Sequence, residues 1–144
     1  MRTFVVSLLL LWLTACAKSG NGGAAASASA SAEANNPASA SDGAMVYQTN
    51  CSSCHQPDGK GLRGAFPPLA GNPLVTGNPT AVIAVVKNGL DGRVVVNGVA
   101  YSGIMPHWSG VLSDDQIASV ITYIRSAWHN SAPGVSAAQV RGVK

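Results

Sequence analysis

The stretch Cys51-Ser52-Ser53-Cys54-His55 limits what this chain can fold into more than any other. Two thiols three positions apart fall on one turn of helix, and an imidazole follows at once. That spacing lets both cysteines add across the two vinyl groups of one porphyrin, forming thioether bonds. His55 is then held against the iron through its neutral imidazole, so the five residues are the attachment signature of a c-type haem. Two other chemistries use a bare C-x-x-C. Zinc requires four ligands; the third cysteine, Cys16, lies in a targeting segment, and His107 and His129 do not form a close ligand-like pair. A thioredoxin-like pair should open a helix after a strand, and no βαβ pattern flanks this one. The motif occurs once, so one covalent haem c is expected.

Length and charge set the frame around that motif. The 144 residues allow one modest domain with appendages. A net charge of +3 with only 10% charged residues carries no nucleic-acid footprint. Between residues 42 and 130 the bases Lys60, Arg63, Lys87, Arg93 and Arg125 balance Asp42, Asp58, Asp91, Asp114 and Asp115. Long-range steering by net charge should therefore be weak. A domain of about 90 residues buries only a modest core. A rigid apolar cofactor at its centre would make up the difference.

Residues 1–15 read as a lipoprotein signal peptide. Arg2 forms the basic end, and Phe4 to Leu13 is an apolar run broken only by Ser7. That run is too short for a membrane core of ~30 Å, which takes about 20 helical residues. Leu13-Thr14-Ala15-Cys16 looks like a bacterial lipobox, with Cys16 lipidated as the mature N-terminus. Each buried methylene adds ~0.8 kcal/mol of membrane affinity, and two or more acyl chains anchor stably. The expected place is thus the periplasm, tethered to a membrane; in the lipoproteins it resembles, Ala17 after such a cysteine leans towards the outer membrane. Residues 16–41 are mainly Ala, Ser, Gly and Asn and read as a flexible linker with a reach of about 25–30 Å. The globular domain is expected over 42–130, followed by a tail, 131–144, with one short helical turn after Ser136.

Within the domain, Asp42 is a candidate N-cap, and Gly43, Tyr47 and Cys51 share one helical face. Gln56 to Gly61 is rich in turn residues, and Gly64 to Leu69 leaves no room for helix or strand. Asn78-Pro79-Thr80 opens a helix whose stripe is Val82, Ile83, Val85, Val86 and Leu90, with Gly89 as its stop. Asn97-Gly98 between β-branched residues signals a hairpin over Val94 to Tyr101. Arg93 and Tyr101 could reach a propionate or simply edge a loop. Ser113 to Gln116 is a capping box, stapled by Leu112 and Ile117. The last helix then carries Ile117, Val120, Ile121, Ile124 and Trp128 on one stripe, with Arg125 near its negative end. Asp114 and Asp115 are first-turn acids serving the helix dipole, not a catalytic pair.

A second iron ligand must come from a segment able to lie over the other haem face. Met105 is the domain's only methionine after the motif, since Met45 sits too close to wrap around the ring. His107 is its rival.

With these residues in place, the sequence from Gly43 to Trp128 resembles the class I cytochrome c family. The matching features are Gly43-x-x-x-Tyr47-x-x-x-Cys51 ahead of the haem motif, Pro67-Pro68-Leu69 after it, and Met105-Pro106 before the final helix. The resemblance implies an all-α fold, its helices wrapped around one haem, with a short hairpin before the distal loop. It implies that Gly43 admits the final helix, with Val120 and Tyr123 at the crossing. It also implies that His55 donates its second ring N–H to the carbonyl of Pro67, with Pro68 as runner-up, and that Met105 ligates the iron. The hairpin, Met105-Pro106 and Tyr123 to Trp128 look like the small cytochrome domains that accompany bacterial dehydrogenases and terminal reductases. The implied function is one-electron transfer, not catalysis, from a dehydrogenase or membrane donor to a terminal oxidase or reductase. Trp108 and Ala65-Phe66 would line the partner contact or bury against haem. Two alternatives are a dedicated dehydrogenase subunit, and a haem enzyme or gas sensor whose distal ligand dissociates.

Overall fold

A computed structural model of the chain describes residues 38–144. The signal segment, Cys16 and nearly all of the linker lie outside the described residues. Eight short elements follow in order: α1 (Ala40–Asn50), α2 (Ser52–His55), α3 (Pro73–Thr76), α4 (Pro79–Asn88), β1 (Val94–Val96), β2 (Val99–Tyr101), α5 (Asp114–Ser126) and α6 (Ala137–Gly142). No helix among them is long and apolar enough to cross a membrane.

The crossing of α1 and α5 sets the frame. The capping box at the start of α5 forms as expected: Ser113 Oγ accepts from Gln116 N at 3.2 Å, and Gln116 Oε1 accepts from Ser113 N at 2.9 Å. The helix buries Ile117, Val120, Ile121 and Ile124. At Gly43 a β-carbon would overlap the Ser119 carbonyl and lie 2.8 Å from Tyr123 Cβ. Only glycine lets the two backbones approach this closely. The atoms nearest Gly43 belong to Ser119 and Tyr123, and Val120, the neighbour of Ser119, lines a cavity wall. Tyr47, fully buried, packs in tilted contact at 5.5 Å on Tyr123 and 5.0 Å on Trp128.

Both ends of this pair differ from the sequence expectation. Helix α1 starts at Ala40, so Asp42 lies in its first turn rather than at the N-cap. The amide of Ala38 donates to Val135 O at 3.1 Å, which fixes the chain early enough for Ala40 and Ser41 to join the helix. Helix α5 stops at Ser126, and Trp128 lies beyond it with φ +51°, followed by His129 at +67°. Trp128 reaches the aromatic cluster by a left-handed turn, not along the helical stripe.

The remaining elements obey their local signals. Asn72 and Asn78 each accept a hydrogen bond two residues on, from Leu74 N and Thr80 N, and each precedes a proline at the first helical position. In the hairpin Val94 pairs with Tyr101 and Val96 with Val99, and Asn97 and Gly98 both take positive φ. That is the turn whose twist suits a two-residue hairpin.

Residues 131–144 form part of the core. Val135 and Val140 are fully buried, and Ser136 and Gln139 make a second capping box. Lys87 Nζ donates to Val140 O at 3.0 Å and also to Val143 O, holding the last carbonyls of α6. Arg125 is only 3% exposed, and its guanidinium donates to Val75 O, Gly77 O and Pro133 O. Its task is to join three segments, which goes beyond the dipole role its position suggested.

Candidate haem site

The last turn of α1 runs into α2 through two backbone bonds, Cys51 N to Tyr47 O and His55 N to Cys51 O, both 2.9 Å. This places two free, half-buried thiols, Cys51 and Cys54, beside His55 on the wall of one cavity of about 620 Å³. Burial, then the neighbouring Cys54, pushes the Cys51 thiol up to about 11, so it is a neutral thiol at pH 7.

His55 is buried, and its Nδ1 lies 2.9 Å from Pro67 O. A carbonyl can only accept, so Nδ1 carries the proton in the neutral ring and Nε2 keeps its lone pair. Burial pulls the His55 pKa below its ordinary value, against the opposing effect of the Pro67 carbonyl. The ring is neutral at pH 7, the form that binds metal. The loop is tight because Gly59 and Gly61 take left-handed φ of 68° and 65°, and Gly61 N donates to His55 O at 2.9 Å. A β-carbon at Gly61 would lie 2.6 Å from Pro67 O. The carbonyl of Pro68 is engaged elsewhere, accepting from Asn72 Nδ2 at 2.8 Å.

Met105 reaches the same cavity from the far end of the domain sequence. Leu90 and Met105 form an antiparallel bridge with two 2.9 Å hydrogen bonds, and Trp108 N donates to Val86 O at 3.1 Å. Gly89, at φ +73°, permits this approach, since a β-carbon there would lie 2.5 Å from Met105 O. The thioether lines the cavity, whereas His107 is exposed and absent from its wall. Phe66 and Trp108 also line it; Ala65, Arg93 and the buried Tyr101 do not. The rest of the wall is largely aliphatic, from Val82, Val85 and Val86 of α4 to Val120 and Ile124 of α5. No Lys, Arg, Asp or Glu contributes to it.

The residues fit a haem in kind. Two thiols stand ready for thioethers, a neutral imidazole has its outer nitrogen fixed, and a soft thioether shares an otherwise apolar chamber. Sequence reasoning missed the side chains that brace this arrangement. Asn72 is 3% exposed and Asn130 7%, and both bond to backbone after Pro67. The sequence reading singled out neither residue, although Asn72 precedes a proline as Asn78 does.

Such a chamber, backed by a C-x-x-C-H helix and bounded by a glycine crossing of two helices, is that of a c-type cytochrome domain, whose cofactor is haem c. Residues 38–124 match the family model described as cytochrome C oxidase, cbb3-type, subunit III, and the chain belongs to this cytochrome c family. It is 44% identical over 110 residues to the cytochrome c subunit of a quinone alcohol dehydrogenase from Gluconacetobacter polyoxogenes, covering 74% of this chain and 23% of that protein. It is 40% identical over 92 residues to cytochrome c-552 of Thermus thermophilus, covering 61% of this chain and 69% of the other. Subunit CcoP of a cbb3-type cytochrome c oxidase from Cereibacter sphaeroides is 30% identical over 92 residues, covering 62% and 28%. The chain thus spans about a quarter of the length of the dehydrogenase subunit it matches.

Proposed function

We propose that this chain is a periplasmic, membrane-tethered one-electron carrier with a single haem c. Cys51 and Cys54 would hold the group covalently, and His55 and Met105 would ligate its iron. When bound, the haem supplies a one-electron couple; the protein supplies position and environment. Pro67 fixes the His55 ring and raises its basicity, which favours ferric iron. Met105 works in the other direction, because a thioether favours ferrous iron and raises the potential. The aliphatic wall excludes water and adds no fixed charge. With His55 and Met105 both committed to the iron, the site would transfer electrons and would leave no open position for substrate. The observation that carries this reading is the placement of a carbonyl-bonded His55 and the bridged Met105 on one cavity wall.

The test is Met105→Ala in periplasmically matured protein. The expected result is loss of the long-wavelength ferric band of thioether ligation, a lower potential, and carbon monoxide binding rising from undetectable to stoichiometric. An unchanged spectrum would remove Met105 as ligand, and carbon monoxide binding by the wild type would favour the sensor or enzyme reading.

Cys16, the Ala/Ser/Gly linker and the dehydrogenase subunits among the relatives support a tethered partner of a dehydrogenase or of a membrane donor, passing electrons to a terminal oxidase or reductase. One fractionation reads both parts. Wild type should stay with the membranes and Cys16→Ser should move to the soluble periplasmic fraction; equal distribution would refute the anchor. A dehydrogenase co-eluting with mildly extracted wild type marks a fixed subunit, and its absence marks a shuttle.

A further inference from the structure

The turn after α5 holds two adjacent backbone outliers. Trp128 and His129 are consecutive non-glycine residues at φ +51° and +67°, a region that bulky side chains rarely occupy. Such outliers persist only where their surroundings over-determine them. Here the surroundings are the loop that carries Pro67. Trp128 Nε1 donates to Pro57 O at 3.2 Å, on the near side of that loop. The turn also carries Asn130 inward, where its carboxamide makes three bonds. Its Nδ2 donates to Ile124 O at 2.7 Å and to Leu69 O at 3.0 Å, while its Oδ1 accepts from Gly71 N at 2.9 Å. Two carbonyls and one N–H leave a single consistent orientation for the amide.

We infer that Asn130 is a positioning residue for the proximal ligand, clamping the Leu69–Gly71 backbone to α5 so that the Pro67 carbonyl is held against His55 Nδ1. The inference rests on the proposed role of His55 as iron ligand. Between the clamp and that carbonyl stands one residue, Pro68, whose ring fixes φ and leaves little slack. Leu69 N and Ala70 N both donate to Gly59 O, at 2.7 and 3.0 Å, closing the loop on itself. Asn72 likewise ties Pro68 O within the same segment. Those bonds shape the loop without placing it. Asn130 alone among these side chains joins it to the long helix that also crosses α1. Removing the carboxamide frees the loop to drift, lengthens the His55–Pro67 bond and makes the imidazole less basic. Ferric iron then loses part of its preference, and the potential rises.

The experiment compares Asn130→Ala with wild type already shown to carry haem, so failure of the haem reading appears in the wild type and failure of this inference only in the variant. Thr122→Val is the control: it breaks the Thr122–Val135 pair on the same helix and touches no part of the proximal loop. Asn130→Ala should raise the midpoint by up to a tenfold change in ferric preference, about 59 mV for one electron. It should also speed solvent exchange of the His55 Nδ1 proton, followed by NMR in the reduced protein, at least tenfold. Thr122→Val should lower the melting temperature and move neither quantity. If Asn130→Ala does not accumulate, Asn130→Ser, which keeps a small polar group, should show smaller shifts of the same sign. Wild-type values in the Asn130 variants, or equal shifts in Thr122→Val, would overturn the inference.

Discussion

Gly43→Val is expected to yield almost no folded haem protein, and Gly43→Ala to lose about 3–5 kcal/mol of stability by urea denaturation, the cost of an emptied aromatic site. The first added carbon would overlap the Ser119 carbonyl, and the next obstacle is Tyr123 Cβ at 2.8 Å. Ser119 O belongs to the backbone in the middle of α5, so no rotamer change relieves the overlap. The helices must separate. Separation withdraws Tyr47 from its cluster with Tyr123 and Trp128 and breaks its 2.6 Å hydrogen bond to Gln56 O, beside the proximal histidine. Alanine is better than glycine in a helix by about 1 kcal/mol, which offsets only a minor part of this. A domain of this size has about 5–15 kcal/mol in total, so valine, with two further methyl groups at the contact, exhausts the margin. A Gly43→Ala protein as stable as wild type would mean that the helices do not cross as closely as described.

Signals confined to a few neighbouring residues could be read from the sequence. The caps at Asn78 and Ser113, the stop at Gly89 and the Asn97-Gly98 turn each depend on side chains bonding the adjacent backbone or on local φ preference. The haem motif is equally local, since both thiols and the imidazole lie within five residues. Elimination and resemblance favour Met105 over His107. What separates them in space is the Leu90 bridge, a pairing across fifteen residues that no local pattern announces. Other features depended on partners still further away. The Ser39 side chain caps no backbone N–H of α1, so the start of that helix is set in part by Val135, nearly a hundred residues on. Trp128 continues the helical spacing of α5 on paper. The chain instead leaves the helix, because Tyr47 and Pro57 O lie where a left-handed turn can reach them. Asn130 and Arg125 are polar residues in polar-looking places, yet each satisfies carbonyls from distant segments. A single sequence does not display such pairings.

The same long-range logic governs the tail. A chain ending at Pro133 is expected to lose about 3–6 kcal/mol, from two fully buried valines, Val135 and Val140, at about 1.5–3 kcal/mol each. Arg125 keeps its Pro133 acceptor in this truncation, so the loss is specific to α6 and its approach. Two consequences follow at separate places. Ala38 N loses Val135 O, so the first turn of α1 should fray while its crossing with α5 persists. Lys87 Nζ loses both carbonyl partners, and Lys87 lies three residues before the Leu90 bridge that holds the Met105 backbone. Its own carbonyl accepts from Ser109 N at 3.1 Å, on the other flank of Met105. The end of α4 is therefore tied to the tail by its side chain and to the distal loop by its backbone. The truncated protein should lose its ferric thioether band at a markedly lower temperature than wild type, ahead of global unfolding. Circular dichroism and the visible spectrum followed in one thermal scan separate the two events. A truncated protein with an unchanged melting temperature would show that the tail contributes nothing to the core; one in which both signals fell together would show that α6 supports the fold without bracing Met105.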